Sequence, residues 1–221
     1  MFKITRHALH RSLKAALRLT SDDETRPQLC GVGIRFVDGR PQFIGANSHA
    51  LVKACPLVEQ TENTESDGLI TILANANAKE LAKQVRPSKS AERVEVCDVA
   101  FVAGRSGLCI DVTWACGAAR HELETALTFP PVDQVIPARR DSDATSSAVF
   151  ALNPWLVADV MTAVTDFFPL SKRKRSGSLG TVWSREHDLD PCRLDASHND
   201  YGAIVAVIMP MRLPMSMSAA E

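Results

Sequence analysis

The side chains in this sequence that could take part in covalent chemistry form no recognisable catalytic group. Ser106, Asp111 and His121 are candidates by residue type, but no nucleophile elbow, phosphate-binding loop or zinc-protease motif surrounds them. The six cysteines lack Cys-x-x-Cys spacing and have no paired histidines, which argues against a zinc site. Most of them lie in apolar stretches, where small reduced core residues are expected. We therefore expect no catalytic residues, no metal and no cofactor.

Basic side chains form a second group, and they recur at helical spacing. Two predicted helices, at residues 6–19 and 76–86, carry cations on the face opposite their apolar residues. A single acidic residue, Glu80, lies beside these rows. Unmixed positive rows suit DNA phosphate, which they would bind without regard to base sequence. The alternative is an ordinary solvated face that collects good helix formers.

The cations expected to contact DNA lie in three segments. They are His7, Arg11, Lys14 and Arg18 on the first helix, Lys79, Lys83 and Arg86 on the second, and Lys172, Arg173, Lys174 and Arg175 in a basic loop. A third predicted helix, at residues 154–168, lacks such a row. Its polar face carries Trp155, Asp159, Thr162 and Asp166.

Composition limits the class of protein. With 221 residues, 45% of them apolar and 23% charged, the chain can bury the core of one large or two small domains. The formal net charge of -1 excludes a globally basic mode of DNA binding, but it allows a local basic face. No apolar run approaches the roughly 20 residues that span a bilayer, so we expect no membrane partner and a cytoplasmic location. The basic first 19 residues leave an organellar presequence open as an alternative.

The order of predicted elements repeats three times as a strand, a helix and three strands. The predicted strands are 2–4, 31–37, 41–46 and 49–55; then 69–73, 93–97, 99–103 and 108–114; then 148–152, 179–185, 192–195 and 203–209. Asn153 followed by Pro154 is a strong start signal for the third helix. We predict an α+β fold of three βαβββ units. Two units occupy 1–137 and one unit occupies 148–213, with a linker over 138–147 and a frayed tail over 214–221.

Four motifs carry a family resemblance. They are Gly-Ala-Asn-Ser-His-Ala-Leu at 45–51, Phe-Pro-Pro-Val-Asp-Gln-Val-Ile-Pro at 129–137, Phe-Ala-Leu-Asn-Pro-Trp-Leu-Val-Ala-Asp-Val-Met-Thr-Ala at 150–163 and Met-Pro-Met-Arg-Leu at 209–213. In this order they resemble segments of the bacterial sliding clamp, the beta subunit of DNA polymerase III. The resemblance implies the DNA-clamp fold, in which two units make a domain and helices line the inner wall of a ring. On this basis 1–137 would be a complete clamp-like domain and 148–213 a half domain. It also implies an accessory protein without enzymatic activity.

The resemblance further implies a hydrophobic pocket for partner peptides. The residues that map to it are Leu29, Ala46, His49, Leu51, Pro130, Val135, Val207, Ile208, Met209, Pro210, Met211 and Leu213. The alternative is that these residues only close a core between sheets. Two departures alter the rim, since Ala50 stands where the family usually has Arg, and Asn47-Ser48 replaces Asp-Gly.

The leading hypothesis is a sliding-clamp-like processivity or recruitment factor that binds double-stranded DNA and peptides of DNA polymerases or repair proteins. A clamp chain of this family has six units, so a closed twelve-unit ring would need a homo-oligomer of four three-unit chains, and a dimer is otherwise expected. Two alternatives remain. One is a clamp-fold adaptor that binds partner peptides without encircling DNA, and the other is an enzyme on an unrelated α+β fold.

Overall fold

Two antiparallel sheets, four α-helices and one 3-10 helix make up the regular structure of the residues that the computed structural model describes. Those residues are 1–58, 60–61, 70–87, 95–104, 107–137, 152–168, 181–184 and 191–210. The elements are β1 (Phe2–Thr5), α1 (Arg6–Leu17), the 3-10 helix (Pro27–Leu29), β2 (Gly31–Val37), β3 (Arg40–Ala46), β4 (Ala50–Pro56), β5 (Gln60–Thr61), β6 (Thr71–Ala74), α2 (Asn75–Gln84), β7 (Val96–Ala103), β8 (Leu108–Trp114), β9 (Gly117–Glu122), α3 (Val132–Val135), α4 (Pro154–Phe167), β10 (Thr181–Ser184), β11 (Cys192–His198) and β12 (Gly202–Ile208).

The two sheets connect parts of the chain that are far apart in sequence. The five-stranded sheet has the order β5-β1-β7-β8-β9, and the seven-stranded sheet has the order β10-β11-β12-β4-β3-β2-β6. In the larger sheet β12 pairs antiparallel with β4 over seven residue pairs, from Gly202 opposite Pro56 to Ile208 opposite Ala50. This pairing brings the C-terminal strand against the first third of the chain.

Helix α1 lies at the centre of the main core. Its start is set by Thr5, whose side chain accepts a hydrogen bond of 3.1 Å from the backbone N–H of Ala8. Leu9, Leu13 and Ala16 are buried at the spacing of one helix face, as the sequence predicts. The helix packs between α2 and α4 and against β3 and β4. The main core therefore joins all three long helices to both sheets.

A second core covers the opposite face of the seven-stranded sheet. Because neighbouring strand residues point to opposite faces, Phe43 packs in the main core and Ile44 in the second core. The second core consists of Leu29, Ile44, Ala46, Leu51, Ile72, Phe129, Val132 and Val207. Phe129 and Val132 come from residues 123–137, which follow β9 and are called the connector below. The connector thus closes the face of the sheet that the helices leave open.

The strand predictions for the middle of the chain were partly wrong. Residues 93–97 and 99–103 were predicted as two strands, but β7 runs without a break from Val96 to Ala103. Asp98 lies within the ladder opposite Lys3 and Thr113, and its carboxylate is 3.8 Å from the Lys3 ammonium. Strand β9 was missed because Gly117, Ala118 and Ala119 carry little apolar signal.

The repeat is visible in part. Apart from the two-residue strand β5, the 3-10 helix and the short helix α3, the described residues give the order strand, helix and three strands twice, followed by α4 and three strands. The strand predicted at 148–152 falls outside the described residues except for Leu152, as do the linker at 138–147 and the tail at 214–221. The division into three units and a domain boundary at 137 therefore remains a prediction. None of the described helices has the length and apolar content needed to cross a lipid bilayer.

Gly45 sets how closely α1 approaches the sheet. A Cβ atom at this position would lie 1.8 Å from the carbonyl oxygen of Ala16 in α1, and backbone cannot move aside as a side chain can. We predict that Gly45→Ala lowers the free energy of unfolding by about 3 kcal/mol, the upper end of overpacking costs. A Cβ at Gly33 would meet only the side chains of Phe129 and Ile70, at 3.0 and 3.1 Å. Gly33→Ala is therefore the matched control, with an expected loss of about 1 kcal/mol in urea unfolding. Equal losses would show that the α1 contact does not limit packing.

Candidate functional site

A pocket of about 170 Å³ lies where the β3–β4 turn, the connector and the end of β12 meet. Its wall is mostly apolar. Leu29, Leu51 and Val207 are buried, whereas Met209 is 41% exposed at the mouth. The lining residues are Leu29, Ala46, Asn47, Ser48, His49, Ala50, Leu51, Pro130, Val135, Val207 and Met209.

Local hydrogen bonds shape the rim of this pocket. The side-chain oxygen of Asn47 accepts hydrogen bonds from the backbone N–H groups of His49 and Ala50, at 2.9 and 2.8 Å. This arrangement is an Asx turn, which holds the β3–β4 connection in one conformation. The N–H of Met209 donates to the carbonyl of His49 at 2.9 Å, so the chain after β12 is attached to the same turn. The Arg26 guanidinium donates to the Ser48 hydroxyl from outside.

Eight of the twelve residues predicted for a peptide pocket line this one cavity. They are Leu29, Ala46, His49, Leu51, Pro130, Val135, Val207 and Met209. Ile208 does not, because it follows Val207 on the strand and therefore faces the main core, where it is fully buried. Pro210 is described but does not line the cavity, and Met211 and Leu213 lie outside the described residues. Asn47, Ser48 and Ala50 also line the cavity. They were predicted on the pocket rim but not among the peptide-binding residues.

The connector is held against the sheet by a paired arginine. The Arg35 guanidinium donates two hydrogen bonds of 2.7 Å to the two carboxylate oxygens of Asp133, and a third, of 2.8 Å, to Gln42. The Arg35 side chain is only 7% exposed. At the far end of the connector, Arg193 donates to the carbonyl oxygen of Pro137 at 2.5 Å. These contacts fix the segment that supplies Pro130 and Val135 to the pocket wall.

In the folded protein, an acidic residue of another helix contacts the basic row on α1. Asp166 of α4 accepts hydrogen bonds from Lys14 Nζ at 2.7 Å and from Arg18 Nε at 3.0 Å. The expectation that this row has no compensating acid was therefore wrong, because the neutralising residue comes from another helix. Arg11 is half-buried, with its guanidinium carbon 5.3 Å from the centre of the Tyr201 ring. Burial, and then the charges of Arg11 and Arg6, lower the pKa of His7.

The second basic row is more open, and because α2 ends at Gln84 and not at the predicted residue 86, Arg86 lies just after the helix. Lys79, Lys83 and Arg86 are all exposed. The Lys83 side chain is 80% exposed, and its ammonium lies 3.9 Å from the Glu80 carboxylate. Lys79 and Arg86 form no ion pair with any described residue. The basic loop of Lys172, Arg173, Lys174 and Arg175 lies outside the described residues.

The candidate catalytic residues are not brought together. Asp111 lies opposite Arg120 in the β8–β9 ladder and accepts two hydrogen bonds from its guanidinium. His121 is the next residue along β9, so it faces the other side of the sheet, where it contacts Gln84 at 3.0 Å. Ser106 lies outside the described residues. Within the described part of the chain, no three His, Cys, Asp or Glu side chains are close enough to hold a metal ion.

Comparison with known structures identifies the architecture. A DNA polymerase sliding clamp from Pseudomonas aeruginosa, solved with a ligand, superposes with a TM-score of 0.69 at 16% identity. The chain has the sliding-clamp fold. A clamp from Bartonella birtlesii bound to griselimycin gives a TM-score of 0.63 at 15% identity, and a polymerase III beta protein from Caulobacter crescentus gives 0.64 at 13%.

The match to these clamps extends over nearly all of this chain but not over all of theirs. Each of the three comparisons covers 96% of this chain and 66% of the clamp, so the chain spans slightly less than two thirds of their length. No protein-family model and no curated protein sequence matches it. At 13 to 16% identity the likeness shows the fold, and the two antiparallel sheets with few helices agree with it.

The ion pair between Arg35 and Asp133 makes part of the stability depend on pH. Hydrogen bonds from Arg35 lower the pKa of the Asp133 carboxyl in the folded state. A depressed carboxyl pKa contributes stability above the unfolded pKa of about 4, and this contribution is lost as the pH falls through the folded value. We predict that Asp133→Asn lowers the free energy of unfolding by about 1 kcal/mol at pH 7, since Asp133 is 68% exposed. In urea unfolding the difference from wild type should shrink below about pH 4. A difference that stays constant or widens in acid would contradict this assignment.

Proposed function

We propose that this protein is a sliding-clamp-like recruitment factor that binds short peptides of DNA polymerases or repair proteins in the pocket at the end of β12. One observation carries the proposal. Residues from four distant segments, near positions 29, 46–51, 130–135 and 207–209, meet in one mostly apolar cavity with an open mouth. The protein would supply attachment and no chemistry of its own, acting as an accessory to a polymerase.

The size and lining of the pocket favour an apolar peptide side chain as its ligand. Apolar cavities of about 150 Å³ hold a molecule such as benzene, so about 170 Å³ has room for one ring or branched side chain. Burying such an anchor is worth roughly 1.5 to 3 kcal/mol. The flexible Met209 side chain at the mouth can adapt to different anchors.

The DNA contact in this proposal comes first from α2. Lys79, Lys83 and Arg86 are exposed cations that can approach phosphate without breaking a strong ion pair. A factor that holds DNA and a polymerase peptide at the same time raises the local concentration of polymerase at the template. Duplex DNA would be held without base specificity, because phosphate contacts carry no sequence information.

A second function is favoured by the Asp166 ion pairs. If α1 is neutralised by α4, the protein could act as a clamp-fold adaptor that captures partner peptides and does not encircle DNA. Solution mass separates the two functions, since a closed twelve-unit ring of three-unit chains requires four copies of the 24.0 kDa chain. A monomer or dimer at working concentration would favour the adaptor.

The peptide pocket can be tested at its exposed edge without disturbing the core. We predict that Met209→Asp weakens binding of a fluorescent peptide from a replicative polymerase tail at least about tenfold, because a carboxylate would enter an apolar pocket. Griselimycin, which the Bartonella birtlesii clamp binds, is a second probe. Leu57→Asp is the matched control, since Leu57 is 46% exposed and lies outside this pocket. Binding that is unchanged in Met209→Asp, or lost equally in both variants, would refute the pocket.

The DNA contact is tested by removing charge from α2. We predict that Lys79→Ala/Lys83→Ala weakens binding to a short duplex and flattens the dependence of log affinity on log salt by about one per lysine. Arg40→Ala/Arg120→Ala removes two exposed strand cations and serves as the control for net charge. In fluorescence anisotropy over a salt series, the α2 variant should therefore show weaker binding and a flatter salt dependence than the control variant. Identical slopes in wild type and the α2 variant would remove DNA from the proposal.

A further inference from the structure

At the contact between α4 and α1, a carboxylate binds cations that could otherwise bind phosphate. The two carboxylate oxygens of Asp166 each engage a different cation, Oδ1 with Lys14 and Oδ2 with Arg18. A DNA phosphate oxygen would use the same donors at similar distances. The carboxylate therefore engages the hydrogen-bond donors of α1 that a phosphate would use.

The exposure of the three side chains supports this interpretation. Lys14 and Arg18 are 47% and 45% exposed, so a ligand in solvent can reach them, whereas Asp166 is 13% exposed. The carboxylate thus reaches the two cations from the packed side of the α1–α4 interface. Because the two cations are exposed to solvent, they can exchange the carboxylate for another anion, in particular for a polyanion such as DNA. An exchange of partners would leave the cations in place and expose Asp166 to repulsion by phosphate.

We propose that Asp166 is an intramolecular competitor for DNA phosphate that reduces the contribution of Lys14 and Arg18 to DNA binding. The inference rests on the DNA contact of the proposed function and adds a regulatory residue to it. DNA contact begins at the open cations of α2, and α1 contributes when phosphate displaces the Asp166 carboxylate. A helix that is basic in sequence is in this way kept from binding DNA at full strength.

Helix α4 supplies a matched control for charge. Asp159 lies two turns before Asp166 on the same helix, is exposed, and forms no ion pair with a described residue. Asp159→Asn and Asp166→Asn remove the same formal charge. They differ in whether two DNA-facing cations are released.

The test uses the whole 221-residue chain and a short duplex in a salt series. Asp166→Asn should bind about two- to tenfold more tightly than wild type at low salt, the range expected for one or two exposed ion pairs, with a steeper salt dependence. Asp159→Asn should change affinity much less. The gain should vanish when Lys14→Ala/Arg18→Ala is added to Asp166→Asn. Equal affinities of Asp166→Asn and Asp159→Asn, with a lowered melting temperature for Asp166→Asn alone, would identify a structural ion pair and overturn the inference.

A second measurement does not depend on the folding of Asp166→Asn. In the wild-type background, Lys14→Ala/Arg18→Ala should weaken DNA binding much less than Lys79→Ala/Lys83→Ala. Losses of equal size would show that Asp166 does not restrain α1. Loss of binding in the α2 variant without a gain in Asp166→Asn overturns the inference and leaves the proposed function standing. Absence of DNA binding in every variant, wild type included, removes both the inference and the DNA part of the function.

Discussion

The pairing of β12 with β4 is the constraint on which the rest of the structure depends. Seven residue pairs join positions 202–208 to positions 50–56 across roughly two thirds of the chain. The entropy of closing so long a loop is offset only when the apolar residues on both faces of the strands become buried. Once formed, the pairing places Val207 opposite Leu51 in the second core and Ile204 opposite Ala54 in the main core. The pairing of β12 with β4 therefore positions residues of both the pocket wall and the main core.

The same pairing explains the electrostatics of the helices. Helix α4 precedes β10, β11 and β12 in the chain, and it packs against β12, β4 and α1. Asp166 can reach Lys14 and Arg18 because the sheet brings α4 beside α1. The charge of the α1 surface is therefore a property of the assembled fold, whereas the α2 surface keeps the charge that its own sequence gives it. A DNA contact on this fold is expected to be uneven from helix to helix.

The periodic parts of the fold could be predicted from sequence because their signals are local. The spacing of Leu9, Leu13 and Ala16 predicts the buried face of α1, and Asn153 with Pro154 predicts the start of α4. The predicted break between residues 97 and 99 was wrong, because β7 continues through Asp98, whose carboxylate lies beside a cross-strand lysine. The meeting of Leu29, Leu51, Pro130 and Val207 has no local signal, and their grouping came from motif resemblance alone. The partners of Asp166 could not be predicted, since they depend on the packing of two helices that are about 150 residues apart.

The alternation of side chains along β12 imposes a limit on how the pocket can vary. Val207 faces the pocket and the next residue, Ile208, faces the main core, so a shift of register by one residue would exchange the two environments. The wall residues Leu51 and Val207 are also second-core residues, and large changes there would disturb the sheet. Ser48, His49 and Met209 are exposed and belong to neither core. Substitutions can therefore change the rim of the pocket, whereas the wall is constrained by the requirements of folding.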